Sequence, residues 1–174
     1  HGDIKPHNII FNKTKNLFSV IDFGSITEIF SISSKAGTPS FLSPERFLND
    51  AISESSEIFS IGVTLYLAFT NKYPYGEIEP FQTPSFKEAK APSFYNSKIP
   101  HWLDSIILRS IAPQKERRYA HYSEMLYELK NPTKVVPFFS KDTPLLKKHE
   151  LSFYKVSFLL SFILNIALLI YLNR

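Results

Sequence analysis

Residues 1–24 read HGDIKPHNIIFNKTKNLFSVIDFG, and this stretch decides the fold. Two short apolar runs, residues 9–11 and residues 17–21, flank a polar turn at residues 12–16. β-rich runs of this length joined by a short polar turn predict a β-hairpin. A hairpin returns the chain, so we expect the polar residues before it to meet those after it.

Four polar side chains flank the predicted hairpin: Asp3, Lys5 and Asn8 before it, and Asp22 after it. Phosphoryl transfer needs a group that orients the attacking hydroxyl and accepts its proton, together with magnesium ligands and a nearby cation. Asp3 offers the carboxylate and Lys5 the cation. Asn8 and Asp22 offer the hard oxygen ligands that Mg²⁺ prefers. A lone Asp is more often a surface residue, so it is the ordered set that indicates this chemistry.

The ordered pattern H-x-D-x-K-P-x-N, a hairpin and then D-F-G resembles the catalytic and magnesium loops of eukaryotic-like (Hanks-type) Ser/Thr protein kinases. The resemblance implies that Asp3 is the catalytic base and that Lys5 is a catalytic phosphate clamp. It also implies that Lys5, Asn8 and Asp22 bind the cofactor ATP, with Asn8 and Asp22 as ligands of Mg²⁺. Lys5 at this position implies Ser/Thr specificity, and a protein substrate is the implied partner.

Residues 37–45, GTPSFLSPE, resemble the end of the kinase activation segment. The resemblance assigns Gly24, Gly37 and Thr38 to that segment. In the family the threonine contacts the catalytic Asp and Lys, which here are Asp3 and Lys5.

The same resemblance implies a buried ion pair between Glu45 and an arginine near the end of the lobe. A buried carboxylate is costly without such a partner. Arg118 is the expected partner and Arg117 is its competitor, and the sequence leaves both open.

Three stretches predict helices. Residues 56–69 are apolar on nearly every face, which is typical of a helix buried at the centre of a helical domain. Residues 101–111 and 121–130 show apolar side chains at helical spacing. We therefore expect a mainly α fold over residues 1–130, namely a protein-kinase C-terminal lobe of a catalytic hairpin plus a helical bundle.

The remainder of the chain differs in composition. Residues 131–152 are polar and proline-containing, which predicts a linker. Residues 153–173 are predominantly apolar and would span about 31 Å as a helix, which predicts a transmembrane helix and a membrane partner. Lys147, Lys148 and Lys155 precede or begin this stretch, so the kinase lobe is expected to face the cytoplasm from a bacterial inner membrane.

Composition excludes several other classes of protein. Lys and Arg total 20 against 16 Asp and Glu, and the formal excess of +4 is scattered along the chain, so no nucleic-acid partner is expected. The chain has no cysteine, which excludes disulfides and thiolate metal sites.

Two positions depart from the family pattern. Gly2 stands where the family has an arginine that receives an activation-loop phosphate, so gating by loop phosphorylation is not expected. Glu57 stands where the central helix begins with an aspartate that holds the catalytic loop. Because Glu is one methylene longer, we expect weaker support of that loop.

The expected function is a Ser/Thr kinase that transfers the γ-phosphate of ATP to proteins. The sequence opens inside the catalytic motif, so we expect a fragment without an N-terminal lobe. The terminal helix resembles that of a bacterial group in which the kinase follows a metal-dependent phosphatase. The alternative is a pseudokinase or truncated remnant that acts as a membrane-anchored binding module.

The polypeptide of residues 1–174 is expected to show no kinase activity by itself. It contains no Gly-rich loop or strand lysine ahead of the catalytic loop, and these groups hold the phosphates of ATP in the family. Transfer of radioactive phosphate to a generic protein substrate measures this. An Asp3→Asn version sets the background, and transfer above that background would contradict the expectation.

Overall fold

A computed structural model describes residues 1–24, 37–139 and 150–172, and in the last range it describes the side chains of residues 154–165. The chain divides into two compact units, His1–Phe138 and Phe139–Arg174. Lys147 and Lys148, which contributed to the predicted orientation, lie outside the described residues.

The predicted hairpin is confirmed. Strands β1 (Ile9–Asn12) and β2 (Leu17–Val20) pair antiparallel, with Ile9 opposite Val20 and Asn12 opposite Leu17. Ile10 and Phe11 of β1 are 51% and 42% exposed. The ring of Phe11 lies 4.7 Å from that of Phe18, between centroids.

The predicted central helix is confirmed as α2 (Glu54–Thr70), which follows the short helix α1 (Pro44–Phe47). It begins before the apolar run because Ser53 and Ser56 form a capping box: the Ser56 amide donates to Ser53 Oγ, and the Ser53 amide donates to Ser56 Oγ. The helix ends at Asn71, whose φ of 54° is the left-handed conformation that stops helices.

Three further helices surround α2: α3 (Pro92–Tyr95), α4 (His101–Ser110) and α5 (Tyr122–Lys130). Helices α4 and α5 confirm the two amphipathic stretches of the sequence. Their apolar faces meet α2 in a core formed by Ile58, Ile106, Tyr119 and Met125. Short 3₁₀ turns at Pro6–Asn8, Pro39–Phe41, Lys115–Arg117 and Pro132–Lys134 connect these elements.

The segment after α5 packs against the helices as far as Phe138. The Arg109 Nη2 atom donates to the Val136 carbonyl at 2.8 Å, and the Phe138 amide donates to Ser105 Oγ at 3.2 Å. The first residues of the stretch that the sequence suggested as a linker from residue 131 therefore belong to the first compact unit.

The second unit contains helix α6 (Glu150–Leu172), which is 23 residues long. Within the described part of the chain, no helix has both the length and the apolar character that a membrane crossing requires. The predicted transmembrane helix over residues 153–173, and membrane anchoring through it, are therefore not supported.

Helix α2 approaches the end of α4 most closely at Gly62. A Cβ atom added there would lie 2.7 Å from both Ile111 Cγ2 and Ser110 Cβ. Both of these neighbours are buried and nearly inaccessible to solvent, so neither has room to move aside. The absence of a side chain at Gly62 thus sets the spacing of two core elements.

We expect Gly62→Ala to lower the free energy of unfolding by about 1–3 kcal/mol, because an added methyl overpacks a tight core. Urea denaturation monitored by circular dichroism measures the change. Ala68→Ser adds one atom to the exposed side of the same helix and serves as the control, with an expected change within about 0.5 kcal/mol. Equal midpoints for the two variants would contradict the close approach.

Candidate active site

The Asp3 carboxylate is the centre of the site, and three residues surround it. Thr38 donates to Asp3 Oδ1 twice, from its amide and from its hydroxyl, each at 2.9 Å. Lys5 Nζ lies 2.7 Å from Asp3 Oδ2. The Asn8 side-chain amide donates to the Asp3 carbonyl at 2.9 Å and to Oδ2 at 3.3 Å. The carboxylate is therefore held in one orientation.

These contacts determine the charge state of Asp3. Its partial burial would raise the pKa, but hydrogen bonds from Lys5 and Thr38 favour the ionised form and bring the pKa below its usual value. Because the pKa of Asp3 is lower in the folded protein, ionised Asp3 stabilises the fold at neutral pH. This stabilisation is lost as pH falls through the folded pKa. Asp3 is thus ionised in the neutral range.

Lys5 and Thr38 form a second contact at the site. Lys5 Nζ donates to Thr38 Oγ1 at 2.7 Å, so one ammonium group contacts both the carboxylate and the threonine hydroxyl. Because Thr38 lies far from Asp3 in sequence, these bonds join the catalytic loop to the segment after residue 36. The three residues that the sequence singled out are brought together.

The backbone beneath this cluster is held by Glu57. Its two carboxylate oxygens each accept from the Gly2 amide at 3.2 Å, and Oε2 lies 3.1 Å from the backbone nitrogen of His1. Glu57 is buried in the first turn of α2, so its charge requires these donors. The longer side chain therefore reaches the loop, while weaker support relative to aspartate stays a prediction.

Two glycines allow the close approach of the catalytic loop and the segment that carries Thr38. Gly2 has a φ of 85°, a conformation that costs glycine little. A Cβ atom on Gly37 would lie 2.9 Å from the Gly2 carbonyl oxygen, and φ at Gly37 is 114°. Any other residue at position 37 would crowd the Gly2 carbonyl oxygen and be strained at this φ.

The hairpin brings Asp22 back beside the loop. The Ile21 amide donates to the Asn8 carbonyl at 2.9 Å, and the Ile21 carbonyl lies 2.9 Å from His1 Nε2. Asp22 follows directly with a φ of 63°, and its Oδ1 accepts from the Gly24 amide at 3.4 Å. The chain return that the sequence predicted is therefore present.

The donor set at this return fits magnesium. The Asn8 side-chain nitrogen donates to Asp3, so the side-chain oxygen of Asn8 is the atom that can coordinate a cation. Asp22 adds a carboxylate. Mg²⁺ is usually bound through one or two protein oxygens together with substrate phosphates. Groups of three or more His, Cys, Asp or Glu side chains able to hold a metal are absent from the described residues.

A buried ion pair connects α1 to the residues before α5. Arg118 Nη2 lies 2.6 Å from Glu45 Oε2, and Nη1 donates to the Ser55 carbonyl at 3.1 Å. The side chain of Arg118 is fully buried. Arg117, the competing partner in the sequence, is exposed and lies 4.9 Å from the centroid of the Phe138 ring.

Sequence reasoning missed one contact that positions the site. The Ile78 amide donates to Ser40 Oγ at 2.8 Å, which ties the loop after α2 to the residues just beyond Thr38. Ser40 and Ile78 are buried. No local pattern marks a bond between residues 38 positions apart, so the sequence offered no signal for it.

Comparisons with known proteins show similarity over most of the chain. The family model described as protein kinase domain matches residues 1–128. A probable serine/threonine-protein kinase of Clostridium acetobutylicum is 34% identical over 140 residues, covering 75% of this chain and 21% of that protein. Serine/threonine-protein kinase PrkC of Bacillus subtilis is 31% identical over 138 residues, with the same coverages of 75% and 21%. The chain thus spans about a fifth of the length of these relatives.

Two solved structures share the fold. The Cydia pomonella granulovirus kinase PK-1 matches with a TM-score of 0.59 and 22% identity, over 72% of this chain and 48% of that one. The Mycobacterium tuberculosis PknI kinase domain matches with a TM-score of 0.54 and 19% identity, over 76% and 46%.

We expect Arg118→Met to lower the free energy of unfolding by about 3–5 kcal/mol, because it leaves the buried Glu45 carboxylate without its partner. Arg117→Met makes the same chemical change one residue earlier, at the surface, and should cost less than about 1 kcal/mol. Chemical denaturation of the two variants and the unchanged protein provides the measurement. A larger loss for Arg117→Met would reassign the ion pair.

Proposed function

The chain belongs to the protein kinase domain family, and from that premise we propose that the protein transfers the γ-phosphate of ATP to Ser or Thr residues of protein substrates. The observation that carries the proposal is the Asp3 carboxylate, which Thr38 and Lys5 hold ionised at 2.7–2.9 Å. A surface aspartate would not need three donors to fix it.

The residues have separate roles in this proposal. Asp3 orients the substrate hydroxyl and accepts its proton. Lys5 offsets the negative charge that develops on the transferred group. The Thr38 hydroxyl bonds to both Lys5 and Asp3 and fixes their relative positions. Asn8 and Asp22 would hold Mg²⁺. Bound ATP with Mg²⁺ supplies the phosphoryl group.

The activation segment has a structural part in the proposal. Gly24 and Gly37 bound the stretch between the magnesium loop and Thr38. Gly37 permits the backbone approach that brings Thr38 to Asp3. Because Gly2 replaces the phosphate-receiving arginine, we propose that these contacts, and not loop phosphorylation, order the segment.

We also propose that residues 1–130 form the C-terminal lobe of the kinase, ahead of a linker at 131–152. Support comes from the element order of hairpin and helices, and from coverage of about half of each solved kinase chain. The predicted location at a bacterial inner membrane, with the lobe facing the cytoplasm, stays a prediction. So does the resemblance to kinases that follow a phosphatase domain.

The ordered contacts around Asp3 favour transfer over the alternative of a pseudokinase or remnant that only binds. Such a module has no need of an ionised carboxylate held by a lysine and a threonine. The relatives that match are serine/threonine-protein kinases, which agrees with transfer.

We expect Asp3→Asn in the intact protein that carries this chain to lower kcat by about a hundredfold or more, because the amide cannot accept the proton. Binding of a fluorescent ATP analogue should change little, since Asn8 and Asp22 are untouched. Initial rates of phosphate transfer and a fluorescence titration provide the two readouts. Asp50→Asn changes an exposed carboxylate and is the matched control.

An unchanged kcat in Asp3→Asn would remove Asp3 from the role of base. Loss of transfer in Asp50→Asn as well would show that the effect is not specific to the site.

A further inference from the structure

Phe81 has an unusual position in the loop between α2 and α3. Its side chain is 106% exposed, so nothing in the described chain covers the ring. Its φ is 68°, in the left-handed region. The Gln82 amide donates to the Glu79 carbonyl at 3.1 Å, which closes a four-residue turn with Pro80 and Phe81 at its centre.

The residue type is unfavourable for this turn. A turn with positive φ at its third position takes Gly or Asn, because a bulky side chain is strained there. An exposed phenylalanine adds apolar surface to water. Strained residues of this kind occur preferentially where a protein binds something.

The loop is fixed relative to the proposed active site. Thr38 bonds to Asp3, and two residues later Ser40 Oγ accepts from the amide of Ile78. Three more residues lead from Ile78 to Phe81. At no more than about 3.6 Å per residue, and with about 6–7 Å for each of the two side-chain links, Phe81 lies within about 30 Å of Asp3. An extended peptide covers that distance with about nine residues.

Two acidic residues precede Phe81 in the same loop. Glu77 and Glu79 are exposed on either side of Ile78, which is buried at 6% exposure and anchors the loop. The exposed surface formed by Glu77, Glu79 and Phe81 is therefore acidic and aromatic. Its complement is an apolar side chain next to Lys or Arg.

We propose that Glu77, Glu79 and Phe81 form a docking surface for the protein substrate and select a segment in which an apolar residue adjoins Lys or Arg. This segment lies within about nine residues of the phosphorylated Ser or Thr. The proposal rests on the kinase function proposed above. The bonded path from Ser40 to Ile78 favours the substrate as occupant, because it places the surface within reach of a peptide whose hydroxyl is at Asp3.

The test uses the intact protein and synthetic peptides that contain one Ser and a Phe-Arg pair at successive distances of up to about nine residues on either side. We expect kcat/KM to peak at one spacing. Phe81→Asn should remove that peak through a rise in KM of about tenfold, with kcat unchanged. Because Asn tolerates positive φ, this variant should fold at least as well as the unchanged protein. Glu79→Lys should remove the preference for Arg.

Leu126→Ala removes an exposed apolar side chain from α5 and should leave the peptide preference intact. The absence of a preferred spacing, or identical kinetics in Phe81→Asn, would overturn the docking surface even if the kinase function holds. Self-association in sedimentation experiments that Phe81→Asn abolishes would also overturn it, because a second copy would then be the occupant.

Fluorescence anisotropy of the labelled peptide, measured without ATP, separates this proposal from the kinase function. Binding that is lost in Phe81→Asn and kept in Asp3→Asn supports docking whether or not transfer occurs. Transfer with no measurable difference in binding between Phe81→Asn and the unchanged protein counts against docking alone.

Discussion

The buried carboxylate of Glu57 connects the central helix to the backbone that precedes Asp3. A carboxylate removed from water is unfavourable unless donors surround it, and the donors here are the Gly2 amide and the His1 nitrogen. Helix α2 is itself fixed by the buried side chains of Ile58 and Phe59. The position of the catalytic loop therefore depends on the core of the helical unit. Asp3 is held in place because its loop is bonded to a helix that this core fixes.

Local patterns in the sequence predicted most of this architecture. The apolar runs around residues 12–16 indicated the hairpin because strand and turn signals act over a few neighbouring residues. The all-round apolar run predicted α2, although its start two residues earlier came from the Ser53 and Ser56 capping box. At the site, the ordered set of Asp3, Lys5, Asn8 and Asp22 indicated the chemistry, and the family resemblance added Thr38. The structure shows that Thr38 contacts Asp3 and Lys5.

Features set by distant contacts could not be predicted in the same way. Arg117 is the last residue of a 3₁₀ turn and Arg118 follows it, so the path of the backbone there decides which side chain is buried, and both have the same chemistry. The bond between Ser40 and Ile78 and the packing of residues 135–138 join stretches far apart in sequence. The exposed left-handed Phe81 contradicts the usual turn preferences, so no propensity would have suggested it.

The pair of Glu45 and Arg118 also has a consequence for how the chain folds. The hairpin and the α2 cap close over a few residues, whereas this ion pair joins residues 73 positions apart. The entropy of closing so long a segment must be lost before the contact contributes, so the pair forms late in folding. Both groups then lose their hydration together, and unfolding must separate two charges within the core before water reaches them. A contact that forms this late slows the opening of the lobe with little effect on the rate of its formation, which makes it a source of kinetic stability.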